Sequence, residues 1–248
     1  ISVRLLIQAL KNDFHLSVAA TKHQRSGVGG KISLKSNGLW GIKEIDGVEA
    51  LWVDGTPVDA IECGQAYFNR LFDLVISGVN WGANIGASLI TSGTFAAAFR
   101  SLGINLTKQA IAMSWAITPD IKFPMLPVDQ SIPQKYLNWP GKIIKPIIDI
   151  AIKKHYWGAN LLNINLPLKK SNRVKFVKPI NDLTTYYQYP LILNSQTHRF
   201  FYPKKLNKKR PKNESFDTTA LRNNFITITP CKPNMTNDNI YNRLKDIV

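Results

Sequence analysis

The chain has 248 residues, of which 44% are hydrophobic and 10% aromatic, a composition that is typical of a globular domain and excludes wholesale disorder. Its two cysteines, Cys63 and Cys231, are too few for a disulfide framework or a cysteine-based zinc site and are typical of a reducing compartment. No apolar run approaches the roughly 20 residues that a transmembrane helix needs, and no signal peptide is recognisable. We therefore expect a soluble, cytoplasmic protein.

The net charge of +16 is distributed unevenly along the chain. Residues 1–140 contain 12 Lys and Arg against 10 Asp and Glu, whereas residues 141–248 contain 20 against 6. The excess is concentrated around KKSNRVKFVK and KKLNKKRPK. Such runs either form a solvated basic surface or attract phosphate-rich partners such as nucleic acid, and both interpretations stay open.

The first elements are a helix, ISVRLLIQALKNDF, and a short apolar strand, HLSVAAT. The helix places Val3, Leu6, Ile7 and Leu10 on one face. A helix that leads into a parallel strand is normally the crossover of a βαβ unit and follows an earlier strand. We therefore expect a strand ahead of Ile1 that these 248 residues do not include. Two short strands, KISL and EALWV, are predicted next.

The following segments alternate between helix and strand. GTPVDAIECGQAYF carries a helix-start signal, because Thr56 is a natural cap, Pro57 fits the first position and Asp59 opposes the dipole. The buried strand FDLVIS, the helix GTFAAAFRSL and the strand AIAMSW come after it. This alternation predicts an α/β domain with a mainly parallel sheet flanked by helices.

The pattern of predicted elements changes in the second half of the chain. The proline-rich stretch from Pro119 to Pro140 is predicted to be an irregular surface excursion, followed by the helix GKIIKPIIDIAIKKHY and the strand NLLNINLP. RVKFV, HRFFY and FITITP then indicate antiparallel hairpins appended to the core, and NDNIYNRLKDI is a closing helix. We accordingly predict an α/β core over residues 1–167 and a hairpin extension over residues 168–248.

The loop SGVNWGANIGASLITSGT follows a predicted strand and precedes a helix, which is where open α/β sheets bind ligands. The carboxamide oxygen of Asn80 is a hard, neutral ligand suited to Mg²⁺ or Mn²⁺. Asn84 can donate two hydrogen bonds from its amide, and the flanking glycines Gly82 and Gly86 let the backbone approach an anion.

Ser92, Gly93 and Thr94 open the helix that comes after this loop. Free backbone N–H groups, the positive end of the helix dipole and two hydroxyls converge there on a volume the size of a phosphate. Because the loop contains no carboxylate that would repel an anion, the pattern predicts a phosphate cradle. The alternative is that Ser92 only caps its helix and the glycines only turn the chain.

At this loop the sequence resembles the SurE family of survival proteins, which are metal-dependent phosphatases acting on nucleoside monophosphates. DLVISGVNWGANIG with TSGTFAAA is similar to the family signature. QRSGVG, VDGTPVDAI, NINLP and FDTTALRNNFITITP are similar to further family segments in the same order. The resemblance implies a Rossmann-like core with a swapped or protruding C-terminal hairpin, assembled into homodimers or homotetramers.

The resemblance also implies roles for individual residues. The metal ligands correspond to Ser26 and Asn80, and the phosphate contacts correspond to Asn84 and to the run Ser92, Gly93 and Thr94. The family's pair of aspartates belongs to an Asn-Asp-Asp-Gly segment that would lie just before Ile1, so the catalytic residues are not assigned here. Since hard cations need anionic ligands, we expect the 248-residue chain alone to be inactive as a metal-dependent 5′- and 3′-nucleotidase.

Other polar residues are less informative. The four histidines, His15, His23, His155 and His198, show no metal-ligand spacing, although His23 could approach the site. Asp59 could line the site or cap its helix. Asp217 could stabilise the hairpin region or reach a neighbouring site, and the structural role is favoured. Two other functions remain open: a nucleic-acid-binding protein that uses the basic second part, and a nucleotide binder without catalysis.

Overall fold

The computed structural model describes residues 2–35, 38–117, 130–185, 191–202 and 211–245. Its helices over these ranges are α1 (Ser2–Leu10), α2 (Pro57–Phe68), α3 (Gly93–Gly103), α4 (Gln134–Tyr136), α5 (Lys142–Lys153), α6 (Asp217–Arg222) and α7 (Asp238–Leu244). The strands are β1 (Val18–Thr21), β2 (Trp40–Ile45), β3 (Val48–Val53), β4 (Val75–Trp81), β5 (Ala110–Trp115), β6 (Leu161–Leu166), β7 (Val174–Phe176), β8 (Ile192–Asn194), β9 (Arg199–Phe201) and β10 (Ile226–Cys231). Most of KKLNKKRPK and residues 119–129 of the proline-rich stretch lie outside the described residues. The described half, residues 130–140, is not an irregular surface excursion, because it includes α4 and buries Ile132 and Tyr136.

The predicted α/β class is confirmed. A central sheet has the strand order β4-β5-β6-β10-β7, in which β4, β5 and β6 are parallel and β10 runs antiparallel to β6. A second sheet has the order β1-β3-β2, with β1 parallel to β3. The expectation that RVKFV and FITITP belong to appended antiparallel hairpins is wrong, because these segments are β7 and β10, which pair parallel to each other inside the central sheet.

The core lies on both faces of the central sheet. Every residue of β5 and β6 is buried, and their continuous apolar character is what a strand covered on both faces requires. Leu5 of α1 and Ile144 of α5 pack on one face, while Ala98 of α3 packs on the other. Fully burying such an aliphatic side chain contributes roughly 1.5–3 kcal/mol.

The two sheets are joined by helices rather than by strand pairing. Among the described strands, no ladder connects β1 to β4. A cavity of about 110 Å³ lies there, lined by Ala19 of β1, Gly64 of α2 and Val75 of β4, among others. On the other face, Ile7 of α1 packs against Val18 of β1. Helices therefore set where the segment after β1 lies relative to β4.

The hairpin β2–β3 differs from the sequence prediction. Residues 31–34 do not form a strand, and the edge strand is instead β2, antiparallel to β3. A Cβ on Gly41 would lie 2.7 Å from the Trp52 ring, so a glycine allows the tryptophan to cover the strand. This packing depends on a residue of the neighbouring strand, which the local pattern does not reveal.

The C-terminal part contains the predicted hairpin and closing helix. Strands β8 and β9 form a two-stranded antiparallel sheet that exposes Leu193 and Phe200. None of the residues of α7 is buried. The boundary at residue 168 and a role of this part in oligomerisation stay predictions. Within the described ranges, no helix is long and apolar enough to cross a membrane.

Candidate functional site

Strand β4 carries Asn80, which lies inside the strand rather than just past it as predicted. The strand continues to Trp81, and Asn80 is opposite Ser114 of β5. The Asn80 Nδ2 donates to the carbonyl of Gly82 at 2.7 Å and lies 3.5 Å from the Oδ1 of Asn84. This orientation leaves the Asn80 Oδ1 available as an acceptor, as a metal ligand requires.

Asn84 is buried and its hydrogen bonds lead into the sheet. Its Nδ2 donates to the Ser114 Oγ, and its backbone N–H donates to the Asn165 Oδ1, both at 2.8 Å. Its carbonyl accepts from the Nδ2 atoms of Asn163 and Asn165, each at 2.9 Å. The side chain thus fixes the turn after β4, and direct contact between Asn84 and phosphate stays a prediction.

The two asparagines of β6 were missed as site residues in the sequence. The signal was present, since Asn163 and Asn165 are polar residues at alternate positions of an otherwise apolar strand. Both are completely buried, and alternation places them on the same face of the sheet. Buried amides at such positions need partners. The backbone of Asn84 supplies them for both Nδ2 atoms and for the Asn165 Oδ1, whereas the Asn163 Oδ1 has no hydrogen-bond partner among the described residues.

Helix α3 begins immediately after the loop. The Ser92 Oγ accepts from the Phe95 N–H at 3.0 Å, so Ser92 is a helix cap. The N–H groups of Gly93 and Thr94 are the first of the helix and have no partner within it. The Thr94 side chain is half-buried. A Cβ on Gly93 would lie 2.8 Å from Pro57 Cγ, so glycine allows the starts of α3 and α2 to pack together.

The Ser26 segment lies against the residues that lead into α3. The Gly29 N–H donates to the Thr91 carbonyl at 2.9 Å, and a Cβ on Gly29 would be 3.0 Å from the Ile90 carbonyl oxygen. Ser26 itself is exposed and accepts from the Gln24 Nε2 at 3.0 Å. The structure therefore brings the Ser26 segment beside the start of α3, and Asn80 beside Asn84. The described residues include no hydrogen bond between the side chains of these two groups.

Asp59 is a capping residue. Its Oδ2 accepts from the Thr56 N–H at 2.7 Å and from the Ser33 Oγ at 2.6 Å, and with Thr56 it forms a capping box at the start of α2. Burial raises the pKa of Asp59, but the hydrogen bonds from Ser33 and Thr56 outweigh burial and hold the pKa below its usual value. Its carboxylate is thereby used to hold α2 and the segment around Ser33.

Asn80 and Ser26 as metal ligands stay a prediction, and their side-chain chemistry is compatible with the neutral part of the coordination shell of a hard cation. The Asn80 Oδ1 and the Ser26 Oγ are oxygen ligands of the kind that Mg²⁺ and Mn²⁺ accept beside carboxylates. Over the parts of the chain that the structure describes, no group of three or more His, Cys, Asp or Glu side chains is placed to hold a metal ion.

Comparison with known proteins gives consistent results. Residues 2–188 match the family described as Survival protein SurE. The 5′-nucleotidase SurE of Clostridium botulinum is 27% identical over 248 residues, covering 99% of this chain and 93% of that protein. The 5′-nucleotidase SurE of Methanocaldococcus jannaschii is 34% identical over 174 residues, covering 67% and 62%.

A solved structure supports the fold. The crystal structure of the SurE protein from Aquifex aeolicus has a TM-score of 0.71 at 23% identity, and the match covers 99% of this chain and 93% of that one. At this identity the likeness concerns the fold alone. The family match spans most of the chain and includes the loop after β4 and the start of α3. The chain therefore belongs to the SurE family.

Proposed function

We propose that this chain carries the phosphate-binding part of a nucleotidase, whose reaction converts nucleoside 5′- and 3′-monophosphates to the nucleoside and phosphate. The observation that carries the proposal is the start of α3, where the first N–H groups have no partner within the helix, Thr94 is half-buried, and the preceding loop contains no carboxylate. The name 5′-nucleotidase SurE of the relatives supports this substrate class.

The residues of α3 have a distinct part in the reaction. The N–H groups of Gly93 and Thr94 and the Thr94 hydroxyl would bind the phosphoryl oxygens at the positive end of the helix dipole. Ser92 holds the first turn by its cap and keeps these donors in place. Hydrogen bonds to a charged group contribute about 1.5–3 kcal/mol each. Because the donors are fixed beforehand, they also stabilise charge that develops in the transition state.

A divalent cation, Mg²⁺ or Mn²⁺, belongs to the proposal as the cofactor. Asn80 and Ser26 would hold it through their side-chain oxygens, and other groups would have to supply its remaining ligands. When bound, it would neutralise phosphoryl charge and lower the pKa of a bound water. We keep the expectation that the 248-residue chain alone has little turnover, because hard cations need anionic ligands.

Binding of a nucleoside monophosphate tests the function independently of turnover. We expect isothermal calorimetry to detect adenosine monophosphate binding, and Thr94→Val to weaken it about tenfold, which corresponds to one charge-assisted hydrogen bond. Thr197→Val, in the exposed β8–β9 turn, is the matched control and should leave the affinity unchanged. Equal affinities of wild type and Thr94→Val would contradict the proposed site.

The basic second part provides a discriminating control. If the chain is primarily a nucleic-acid-binding protein, changing the lysines of KKLNKKRPK to glutamine should abolish steeply salt-dependent RNA or DNA binding. Under our proposal the same change leaves the affinity for adenosine monophosphate unchanged, since helix amides bind the phosphate.

We further propose that the protein forms a homodimer or homotetramer in the cytoplasm. The exposed aromatic hairpin β8–β9 supports the assembly, and sedimentation tests its size.

A further inference from the structure

Three separate parts of the chain meet at Gly86, the first residue of the 3₁₀ helix Gly86–Thr91. The Gly86 N–H donates to the Asp217 Oδ2 at 2.6 Å. The next N–H, of Ala87, donates to the Ile180 carbonyl at 2.8 Å. A Cβ on Gly86 would lie 2.8 Å from that same carbonyl oxygen. The loop after β4 is thus clamped by residues from the last third of the chain.

Asp217 is suited to this contact because it is completely buried and its carboxylate is surrounded by backbone donors. Its Oδ1 accepts from the Thr218 N–H at 2.7 Å and from the Ile180 N–H at 3.3 Å. A carboxylate can accept at both oxygens, whereas an asparagine would turn an amide donor toward one of these N–H groups. Burial raises the pKa of Asp217, and the donated hydrogen bonds oppose this by favouring the charged form.

The contact at Gly86 is connected to the start of α3 by a short, internally bonded segment. The Ser88 Oγ donates to the Ile85 carbonyl, and the Thr91 Oγ1 donates to the Ser88 carbonyl at 2.8 Å. The Ser92 N–H donates to the Leu89 carbonyl at 3.1 Å. Displacing Gly86 would therefore displace Ser92 and the N–H groups that follow it.

We propose that Asp217 is a positioning residue for the phosphate site, acting through the Gly86 N–H to fix the direction in which α3 presents its first amides. The role as a phosphate site rests on the proposed function, whereas the positioning itself can be measured without any ligand. Asp217 does not touch the substrate in this account.

The test compares Asp217→Asn with Asp46→Asn. Asp46 is also a largely buried carboxylate, paired with Arg4 at 2.7 Å in the turn between β2 and β3, so the control matches in chemistry but not in location. We expect Asp217→Asn to weaken binding of inorganic phosphate at least tenfold by calorimetry. In ¹⁵N spectra without ligand, the amide signals of Gly86, Gly93 and Thr94 should shift. Asp46→Asn should lower the stability and leave both readouts unchanged.

The outcomes separate this proposal from the proposed function. If the wild type does not bind phosphate, the proposed function fails, and the ligand-free amide shifts of Gly93 and Thr94 alone decide whether Asp217 positions α3. A folded Asp217→Asn with unchanged amide signals and a phosphate affinity within twofold of the wild type overturns the proposal. If Asp217→Asn does not fold, Asp217→Glu, which keeps the charge and moves it by one methylene, is measured in the same way, with the same shifts expected and the same null result overturning it.

Discussion

The two polar segments that reach the proposed site are held in different ways. The loop from Asn80 to Gly86 is anchored in the core, where Asn84 is bonded to two strands and Gly86 to a buried carboxylate. The segment around Ser26 is exposed, and Gln24, itself exposed, supplies the hydrogen bond to its side chain. Loops with few buried contacts open more easily than core segments. We infer that the phosphate half of the site is preformed and that the Ser26 half is adjustable.

The largest expected difference is between two glycines in the left-handed region. Gly86 has φ +57° and a Cβ there would meet Ile180, whereas Gly27 has φ +73° and open space around it. We expect Gly86→Ala to lower the free energy of unfolding by about 3 kcal/mol, from backbone strain plus steric overlap. Gly27→Ala should cost only about 1 kcal/mol, from backbone strain. Urea unfolding of both variants measures this, and equal losses would contradict the comparison.

A second comparison removes one hydrogen-bond partner from each segment. Ser114→Ala takes away the acceptor of the buried Asn84 amide, which should lower the free energy of unfolding by about 1–3 kcal/mol because a buried donor is left unpaired. Gln24→Ala removes the exposed partner of Ser26 and should change it by less than about 0.5 kcal/mol. Thermal unfolding of the two variants is sufficient, and a Gln24→Ala effect as large as that of Ser114→Ala would show that the Ser26 segment is equally rigid.

A third prediction separates the cap at Ser92 from the anion site. Ser92→Ala should lower the free energy of unfolding by about 1 kcal/mol through loss of the cap, and Ser92→Asn should restore it. Ser92→Asp also restores the cap but places a negative charge beside the proposed phosphate, so it should keep the stability and lose phosphate binding. Retention of phosphate affinity in Ser92→Asp would argue against an anion at this helix start.

The contributions of Asp59 and Asp217 to the free energy of unfolding should change with pH in opposite directions. The pKa of Asp59, which holds the segment around Ser33, is lowered by the hydrogen bonds that outweigh its burial, so its stabilising contribution exists above the unfolded value and is lost as pH falls through the folded pKa. The pKa of Asp217 is raised by burial, so its contribution is largest below the unfolded value and is lost as pH rises through the folded pKa.

Urea unfolding between about pH 3 and pH 6, which spans the ordinary pKa of aspartate, checks these signs. The stability of the wild type relative to Asp59→Asn should increase with pH, and its stability relative to Asp217→Asn should decrease. Two slopes of the same sign would show that burial and hydrogen bonding are balanced differently from this account.

Local signals in the sequence predicted some elements well. The start of α2 follows from the cap at Thr56 and from Pro57, and the bounds of β5 follow from a continuous apolar run, since both signals act within a few residues. Non-local pairing accounts for the failures. FITITP is an ordinary strand by its pattern, and only its registry with β6 places it in the central sheet.

The same difference between local and non-local signals holds for the candidate site. The cap at Ser92 and the turn at Gly86 can be predicted from neighbouring residues. The inward direction of Asn84 is not, because it depends on Ser114 and Asn165, which lie 30 and 81 residues away. The clamp by Asp217, 131 residues from Gly86, is equally non-local. Residue types therefore suggest a chemistry for the site, and tertiary contacts determine which of its side chains point into the core.

The most direct test of the account is a titration of ¹⁵N-labelled protein with inorganic phosphate, followed through the backbone amide signals. We predict the largest saturable shifts at Gly93 and Thr94, because their N–H groups begin α3 and lack partners within it. Shifts confined to the lysine-rich second part of the chain, or no saturable shift at Gly93 and Thr94, would contradict the claim that this helix start binds the phosphate.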